Sequence, residues 1–274
     1  MKIRLIALDL DGTLLDPDKR VSARSREALR QAAAMGIHVV PATGRFYKGM
    51  PAAVRELPFV RYVITINGAQ VWDAAEGKSV CRAEIPMEQA ERLFDFMDAL
   101  PVIYDCYQDD WGWMDRKFYE QIDGFIDDRF ELDMARNLRS PVDDFRAELR
   151  RRNRPVQKSQ MFFRDVPLRN RVLEAMPALF PALSVSSATS INIEVNDRDA
   201  QKGTALRRLC AALGVDPSEA MAFGDNLNDL TMIEAAGVGV AMGNACGAVK
   251  DAAQLVTAAN DDEGVAKALE QYVL

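Results

Sequence analysis

Two kinds of apolar spacing divide this chain. Residues 3–8 (IRLIAL) form a short, nearly continuous apolar run that ends in acids, the pattern of a parallel strand covered by helices on both faces. A helix is expected next. Ser22 is placed to cap it, Leu29, Ala32, Ala33 and Met35 supply an apolar stripe, and Gly36 suits the left-handed residue that ends it. The runs IHVVPATG and YVITING then read as a second and a third strand, the latter ending at the turn Asn67-Gly68. Strands that alternate with helices imply crossover connections and a parallel sheet.

The same grammar returns near the end of the chain. Leu206, Leu209, Cys210 and Leu213 share one face of a helix over 203–213, and AMAFGD, GVGVAM and QLVTA read as strands separated by helices. Between these stretches the pattern changes. Pro86 opens a helix with Ala90, Leu93, Phe94 and Met97 on one face. There follow VIYDCY, a tight WGWM segment, helices near 115–130, 143–152 and 167–179, the strand VQKSQMFF and the alternating TSINIEV. The expected fold is therefore α/β, a doubly wound, Rossmann-like parallel sheet formed by residues 1–82 and 196–274. An α+β domain with an antiparallel sheet and helices on one side is inserted at residues 83–195.

The candidate chemistry lies where strands end. The first strand runs into Asp9-Leu10-Asp11-Gly12-Thr13-Leu14 and the fourth into Gly224-Asp225-Asn226-Leu227-Asn228-Asp229. Ligands of open α/β sheets bind at that carboxyl edge. Carboxylates gathered there repel unless a hard divalent cation joins them, and a donor set of oxygens alone favours Mg²⁺. Thr43-Gly44 closes the second strand with a hydroxyl and a backbone N–H, and Lys202-Gly203 puts an ammonium at a helix start, both suited to a phosphate.

Composition narrows the chemistry. The 274 residues contain one histidine, His38, which excludes His-rich zinc sites and histidine-nucleophile phosphatases. The four cysteines (Cys81, Cys106, Cys210 and Cys246) form no CxxC pair, and none has an arginine six residues later, so a cysteine-based phosphatase loop is absent. They read as reduced thiols of a cytosolic protein. A formal net charge of −7 gives no global attraction to nucleic acid or anionic membranes. No apolar run approaches a membrane span and no cleavable signal is visible, so a cytoplasmic protein is expected, with no nucleic-acid or membrane partner. The sequence fixes no oligomeric state.

Taken in order, DLDGTL at 9–14, TGR at 43–45, Lys202-Gly203 and GDNLND at 224–229 resemble the four motifs of the haloacid-dehalogenase-like (HAD) superfamily. The insertion between the second and third motifs, with Thr65-x-Asn67-Gly68-Ala69 and Met242-Gly243-Asn244-Ala245, resembles the Cof-type phosphatases of that superfamily, in which the insertion is a cap domain. The resemblance implies that Asp9 is the nucleophile that forms an aspartyl-phosphate and that Asp11 is the general acid and base. It implies that Mg²⁺ is held by Asp9, the backbone carbonyl of Asp11 and Asp225, with Asp229 supporting the metal site. Thr43 and Lys202 would hold phosphoryl oxygens, with the backbone N–H groups of Asp11, Gly12 and Gly44 and the side chain of Asn228.

Arg45, Asn67 and Glu194 fall at or near the boundary between core and insertion and are candidates to touch substrate. Within the insertion, Tyr104, Tyr107, Trp111 and Trp113 are candidates to line a pocket or to pack the core, and Lys158 and Gln160 share one strand face. Arg150, Arg151, Arg152 and Arg154 read as a solvated helix end. The expected activity is hydrolysis of small phosphate monoesters such as sugar phosphates, nucleotides or phosphorylated cofactors. A hexose phosphate phosphomutase and a non-catalytic regulatory or binding protein are the alternatives.

Overall fold

The computed structural model describes residues 2–127, 129–187 and 189–274, with backbone alone at 130 and 131. The chain forms two compact units, Met1–Arg82 with Ala200–Leu274, and Ala83–Asp199. Five strands come first: β1 (Leu5–Asp9), β2 (His38–Ala42), β3 (Tyr62–Thr65), β4 (Gln70–Asp73) and β5 (Lys78–Arg82). The second unit adds β6 (Ile103–Gln108), β7 (Trp111–Asp115), β8 (Arg139–Val142), β9 (Lys158–Phe162), β10 (Leu183–Ser186) and β11 (Asn192–Asp197). The chain then returns to the first unit with β12 (Ala220–Gly224), β13 (Val238–Ala241) and β14 (Leu255–Val256).

In the first unit the strand order is β14-β13-β12-β1-β2-β3-β4-β5. All of β1 is buried, as its unbroken apolar run requires of a central strand, and it pairs in parallel with β12 on one side and β2 on the other. Chain order reverses at β1, the switch point where a crevice opens beyond the strand ends. The helix Ala23–Ala34 begins as expected, the Ser22 Oγ accepting from the Ser25 N–H at 3.0 Å, and Gly36 takes φ +84 just after it. The sheet is not parallel throughout. β4 pairs antiparallel with β3 and β5, because the turn Ile66–Gly68 sends the chain straight back.

In the second unit the strand order is β10-β11-β9-β6-β7-β8. Helices Met87–Asp98, Phe145–Arg152 and Val166–Leu179 contribute Phe94, Phe145, Leu149 and Val172 to an apolar core with Tyr104, Cys106, Met161 and Ile193 from one face of the sheet. The pairing is antiparallel except between β7 and β8, which run parallel. Where one helical stretch is expected near 115–130, the helices are Arg116–Tyr119 and Arg129–Asn137. The WGWM segment is strand β7, and β11 continues to Asp197, beyond residue 195. Among the described residues no helix is long and apolar enough to cross a membrane.

The helix Lys202–Leu213 lies so close to its neighbour that a Cβ on Gly203 would sit 2.0 Å from the Thr231 carbonyl oxygen, while the Gly203 N–H donates to the Thr231 Oγ1 at 3.1 Å. The obstacle is backbone, which does not swing aside as a side chain does. Gly203→Ala is expected to lower stability by about 1–3 kcal/mol. Urea unfolding checks this, as a lower midpoint at an unchanged slope.

Candidate active site

Three neighbouring strands deliver the site. In register, Asp9 at the end of β1 lies opposite Ala42, so Thr43 follows at the same edge, and Leu8 lies opposite Phe223, so Asp225 follows on the other side. The chain past β1 curls back, the Leu14 N–H donating to the Asp9 carbonyl and the Leu15 N–H to the Leu10 carbonyl. Gly12 has φ +88 within this curl, and a Cβ there would meet the Asp225 Oδ2 at 2.4 Å. Only glycine meets both demands, the left-handed backbone and the close carboxylate.

Lys202, the first residue of its helix, is fully buried with its ammonium between two carboxylates. The Nζ donates to the Asp9 Oδ1 and to the Asp229 Oδ1, each at 2.6 Å. The other oxygen of Asp229 accepts from the backbone N–H groups of Asp225 at 3.0 Å and Asn226 at 3.1 Å, so this residue fixes both the lysine and the loop after β12. Thr13 donates through its hydroxyl to the Asp225 Oδ1 at 3.0 Å. Oxygens of Asp9, Asp225 and Asp229 all lie within 4.8 Å of one another.

One buried ammonium does not neutralise three carboxylates. Burial, and then the charge of Asp229, push the Asp9 carboxyl well above its usual range against the opposing pull of Lys202. Burial and Asp229 likewise push Asp225 up to about 6. Burial acts to lower Lys202, but Asp229 and Asp9 outweigh it and hold the ammonium above its ordinary value. The cluster therefore carries surplus negative charge on oxygen donors alone, which fits a hard divalent cation such as Mg²⁺.

Asp11 stands in the opposite environment. Burial acts to raise its carboxyl, but the charge of Arg45 and the hydrogen bond and charge of Lys19 outweigh that and hold it below the usual carboxylate range. The Arg45 Nη2 reaches its two oxygens at 3.0 and 2.9 Å, and the Lys19 Nζ reaches the Oδ1 at 2.6 Å. Arg45 thus meets Asp11, while Glu194 lies in the second unit, paired with Lys158 at 2.8 Å. The Thr43 Oγ1 accepts from the Arg45 N–H at 3.2 Å. Next to it, Ile66 and Asn67 both take positive φ, +53 and +56, and the Asn67 N–H donates to the Thr43 carbonyl. Such a conformation is costly for a β-branched residue, and it holds Asn67 beside Gly44, where a Cβ would be 2.9 Å from the Asn67 Oδ1. Asn228 donates to the same oxygen at 3.5 Å.

Two supporting residues, Lys19 and Asn260, lie outside the motifs, and a third, Asn244, lies inside one that assigns it no role. Lys19 sits at φ +62 in a turn eight residues from its partner, and Asp-Lys-Arg at 18–20 signals a turn but not its target. Asn244, inside the quoted MGNA segment, donates to the Gly12 carbonyl at 2.9 Å. Asn260 donates to the Leu15 carbonyl at 2.8 Å and, through its N–H, to the Asn244 Oδ1 at 3.0 Å. In the second unit Tyr104 packs against Phe94 and Phe145, and Trp111 donates to the Ser140 Oγ. Arg150, Arg151 and Arg152 pair with Glu91, Glu148 and Asp109, and Arg152 also lies 4.0 Å over the Trp113 ring.

Known proteins share this arrangement of segments. Residues 6–269 match the haloacid dehalogenase-like hydrolase family. A 5-amino-6-(5-phospho-D-ribitylamino)uracil phosphatase of Bacillus subtilis is 31% identical over 272 residues, covering 99% of this chain and 96% of that protein. A second Bacillus subtilis phosphatase is 32% identical over 295 residues, with 99% and 100% covered. The solved structure of a haloacid dehalogenase-like hydrolase from B. subtilis superposes with a TM-score of 0.84 at 31% identity, covering 99% of this chain and 100% of that one. With the carboxyl-edge site and the inserted α+β unit already described, these matches show that the chain belongs to the haloacid dehalogenase-like hydrolases, as a Cof-type enzyme that hydrolyses phosphoric monoesters.

Proposed function

We propose that this enzyme hydrolyses small phosphate monoesters with Mg²⁺ and through an aspartyl-phosphate on Asp9. One observation carries the reading. Lys202 holds the Asp9 Oδ1 at 2.6 Å and leaves Oδ2 without a hydrogen bond among the described residues, so one oxygen is anchored and the other is available to attack phosphorus. Asp9, the Asp11 carbonyl and Asp225 would hold the metal, with Asp229 behind them bracing Lys202 and the loop. The cation would screen the nucleophile from the phosphoryl group and offset charge on its oxygens.

The remaining groups divide the work by chemistry. The Thr43 hydroxyl, which accepts from Arg45, keeps its own proton to donate to a phosphoryl oxygen. Lys202, the Asn228 amide and the N–H groups of Asp11, Gly12 and Gly44 complete the donors. Asp9 attacks phosphorus and the leaving alcohol takes a proton from Asp11. Water then attacks the acyl-phosphate, and Asp11 removes its proton. The ionised Asp11 held by Arg45 and Lys19 is the form needed as base. A phosphoryl group that drew Arg45 to itself would relieve Asp11 of one cation and favour the protonated form needed as acid.

Three outcomes are expected. Asp9→Asn removes the nucleophile at nearly constant volume, so kcat should fall by about a thousandfold or more in a phosphate-release assay, with the circular dichroism spectrum unchanged. Retention of kcat within about tenfold would assign the nucleophile elsewhere. Asp11→Asn should act according to the leaving group. Formation of the aspartyl-phosphate, measured in single turnover, should slow far less for p-nitrophenyl phosphate than for an alkyl phosphate, whose alkoxide needs a proton. Equal slowing would remove Asp11 from the acid role.

The third outcome concerns pH. Raising Asp225 from its usual 3.8 to about 6 makes the metal-free folded state bind an extra proton, so that contribution to stability is full below 3.8 and is lost as pH rises through about 6. Mg²⁺ needs the ionised form and competes with that proton, so affinity should drop about tenfold between about pH 7 and about pH 5. Isothermal titration calorimetry with Mg²⁺ reads it directly, and a flat affinity across that window would exclude Asp225 as a ligand.

A further inference from the structure

The first unit has a cavity at the edge of its sheet opposite the candidate active site. His38 opens β2 and Thr43 follows that strand's last residue, so the two stand about 16 Å apart at about 3.3 Å per residue. Beside His38 lies a cavity of about 280 Å³. One side of it is apolar, formed by Ala33 at the end of the helix Ala23–Ala34, by Ile37 and by Phe59. The other side carries His38, Arg61 and Tyr62. Gly36 leaves the wall open, with nothing within 4 Å of where its Cβ would stand.

The three polar side chains touch one another and still leave hydrogen-bonding groups unused. The His38 and Tyr62 rings meet edge to face, with centres 6.0 Å apart at 70°, and the Arg61 guanidinium lies 5.0 Å from the centre of the Tyr62 ring. Arg61 turns Nε and Nη2 to Asp73, at 3.2 and 2.9 Å, and its Nη1 has no partner among the described residues. Neither ring nitrogen of His38 nor the Tyr62 hydroxyl has one there either. Burial, and then the charges of Arg4 and Arg61, hold His38 below its ordinary value. Its ring is therefore neutral at pH 7, with one donor and one acceptor to offer, and the cavity lies in a positive potential.

We propose that this cavity binds a small aromatic carboxylate, its ring against Phe59 and Ile37, its carboxylate accepting from the Arg61 Nη1, and a ring hydroxyl or nitrogen bonded to His38 or Tyr62. A planar guanidinium matches a planar carboxylate, and Asp73 already takes part of its charge, so one negative group suffices and a second has no cation to meet. Drug-sized ligands occupy about 300–1,000 Å³, so a cavity just below that range suits a single ring with its substituents. A flat ring also packs favourably against the aromatic groups, which a saturated ring of the same size does less well. The site shares no residue with the carboxyl-edge cluster, and the inference stands apart from the phosphatase reading.

His38 is the one histidine of the chain, so its imidazole Cε1–H signal in a solution NMR spectrum of the untagged full-length protein reports on this cavity alone. Titration with 4-hydroxybenzoate should move that signal saturably, with a Kd of about 1 mM or below. The neutral 4-hydroxybenzamide and the saturated cyclohexanecarboxylate should each bind about tenfold more weakly or worse. Arg61→Gln removes the cation while Asp73 keeps the N–H groups of Ala75 and Glu76, and it should weaken 4-hydroxybenzoate by about tenfold. Ala33→Leu fills the apolar side with a good helix former and should abolish the shift without touching a charge. No saturation by about 10 mM, or an affinity that stays within about twofold in every variant that folds, overturns the site. Equal binding of the amide or of the saturated acid by the parent protein overturns the ligand class, and with it the proposal.

Discussion

The site depends on a single buried ammonium. Lys202 joins the end of β1, through Asp9, to the loop after β12, through Asp229, and Asp229 in turn fixes the N–H groups of Asp225 and Asn226. Removing one partner from a buried charge network of this kind costs about 3–5 kcal/mol, since the charges left behind stay desolvated. That exceeds the usual contribution of any surface ion pair in the molecule, such as Arg24 with Glu270, by several fold. Stability and chemistry are therefore coupled here, because the contact that holds two strand ends together is the one that aims the Asp9 carboxylate.

Close backbone approach works alongside charge. Gly12 lets its loop touch Asp225, Gly44 lets its loop touch Asn67, and Gly203 seats the lysine-bearing helix against Thr231. Each missing Cβ brings a polar group of one segment within reach of another. Around this frame the two aspartates of the first motif occupy contrasting surroundings, Asp9 raised by burial and carboxylates, Asp11 lowered by Arg45 and Lys19. Two acids separated by one leucine are thus given different proton affinities, which is what the proposed division into nucleophile and proton carrier requires.

Much of this was legible in the sequence because the information is local. Asp9, Thr43 and Asp225 each stand just beyond an apolar run, and parallel strands that share a sheet bring such positions to one edge whatever lies between them. Lys19 and Asn260 were not legible, since their partners are fixed by how loops fold over one another and not by any periodicity. Strands β8 and β10 were missed for a related reason. β8 contains Pro141 and each has only four residues, so neither has a strong pattern of its own and pairing with a neighbour decides its state. The reversal into β4 was hidden in the Ile66-Asn67 backbone, whose left-handed conformation no β-branched residue advertises.

The pairing of β1 with β12 has a consequence for the birth of the molecule. Leu5 lies beside Ala220, so one edge of the central strand has no partner until more than 200 further residues have been made. At about 5–20 residues per second that interval lasts on the order of ten to forty seconds, during which the apolar edge of β1 is exposed to mispairing and to chaperones. The second unit, continuous from Ala83 to Asp199, is complete before that interval ends. Asp9 meets neither Lys202 nor Asp229 in the meantime. A nascent chain on the ribosome therefore lacks the assembled carboxylate and ammonium cluster until the segment through Asp229 has emerged.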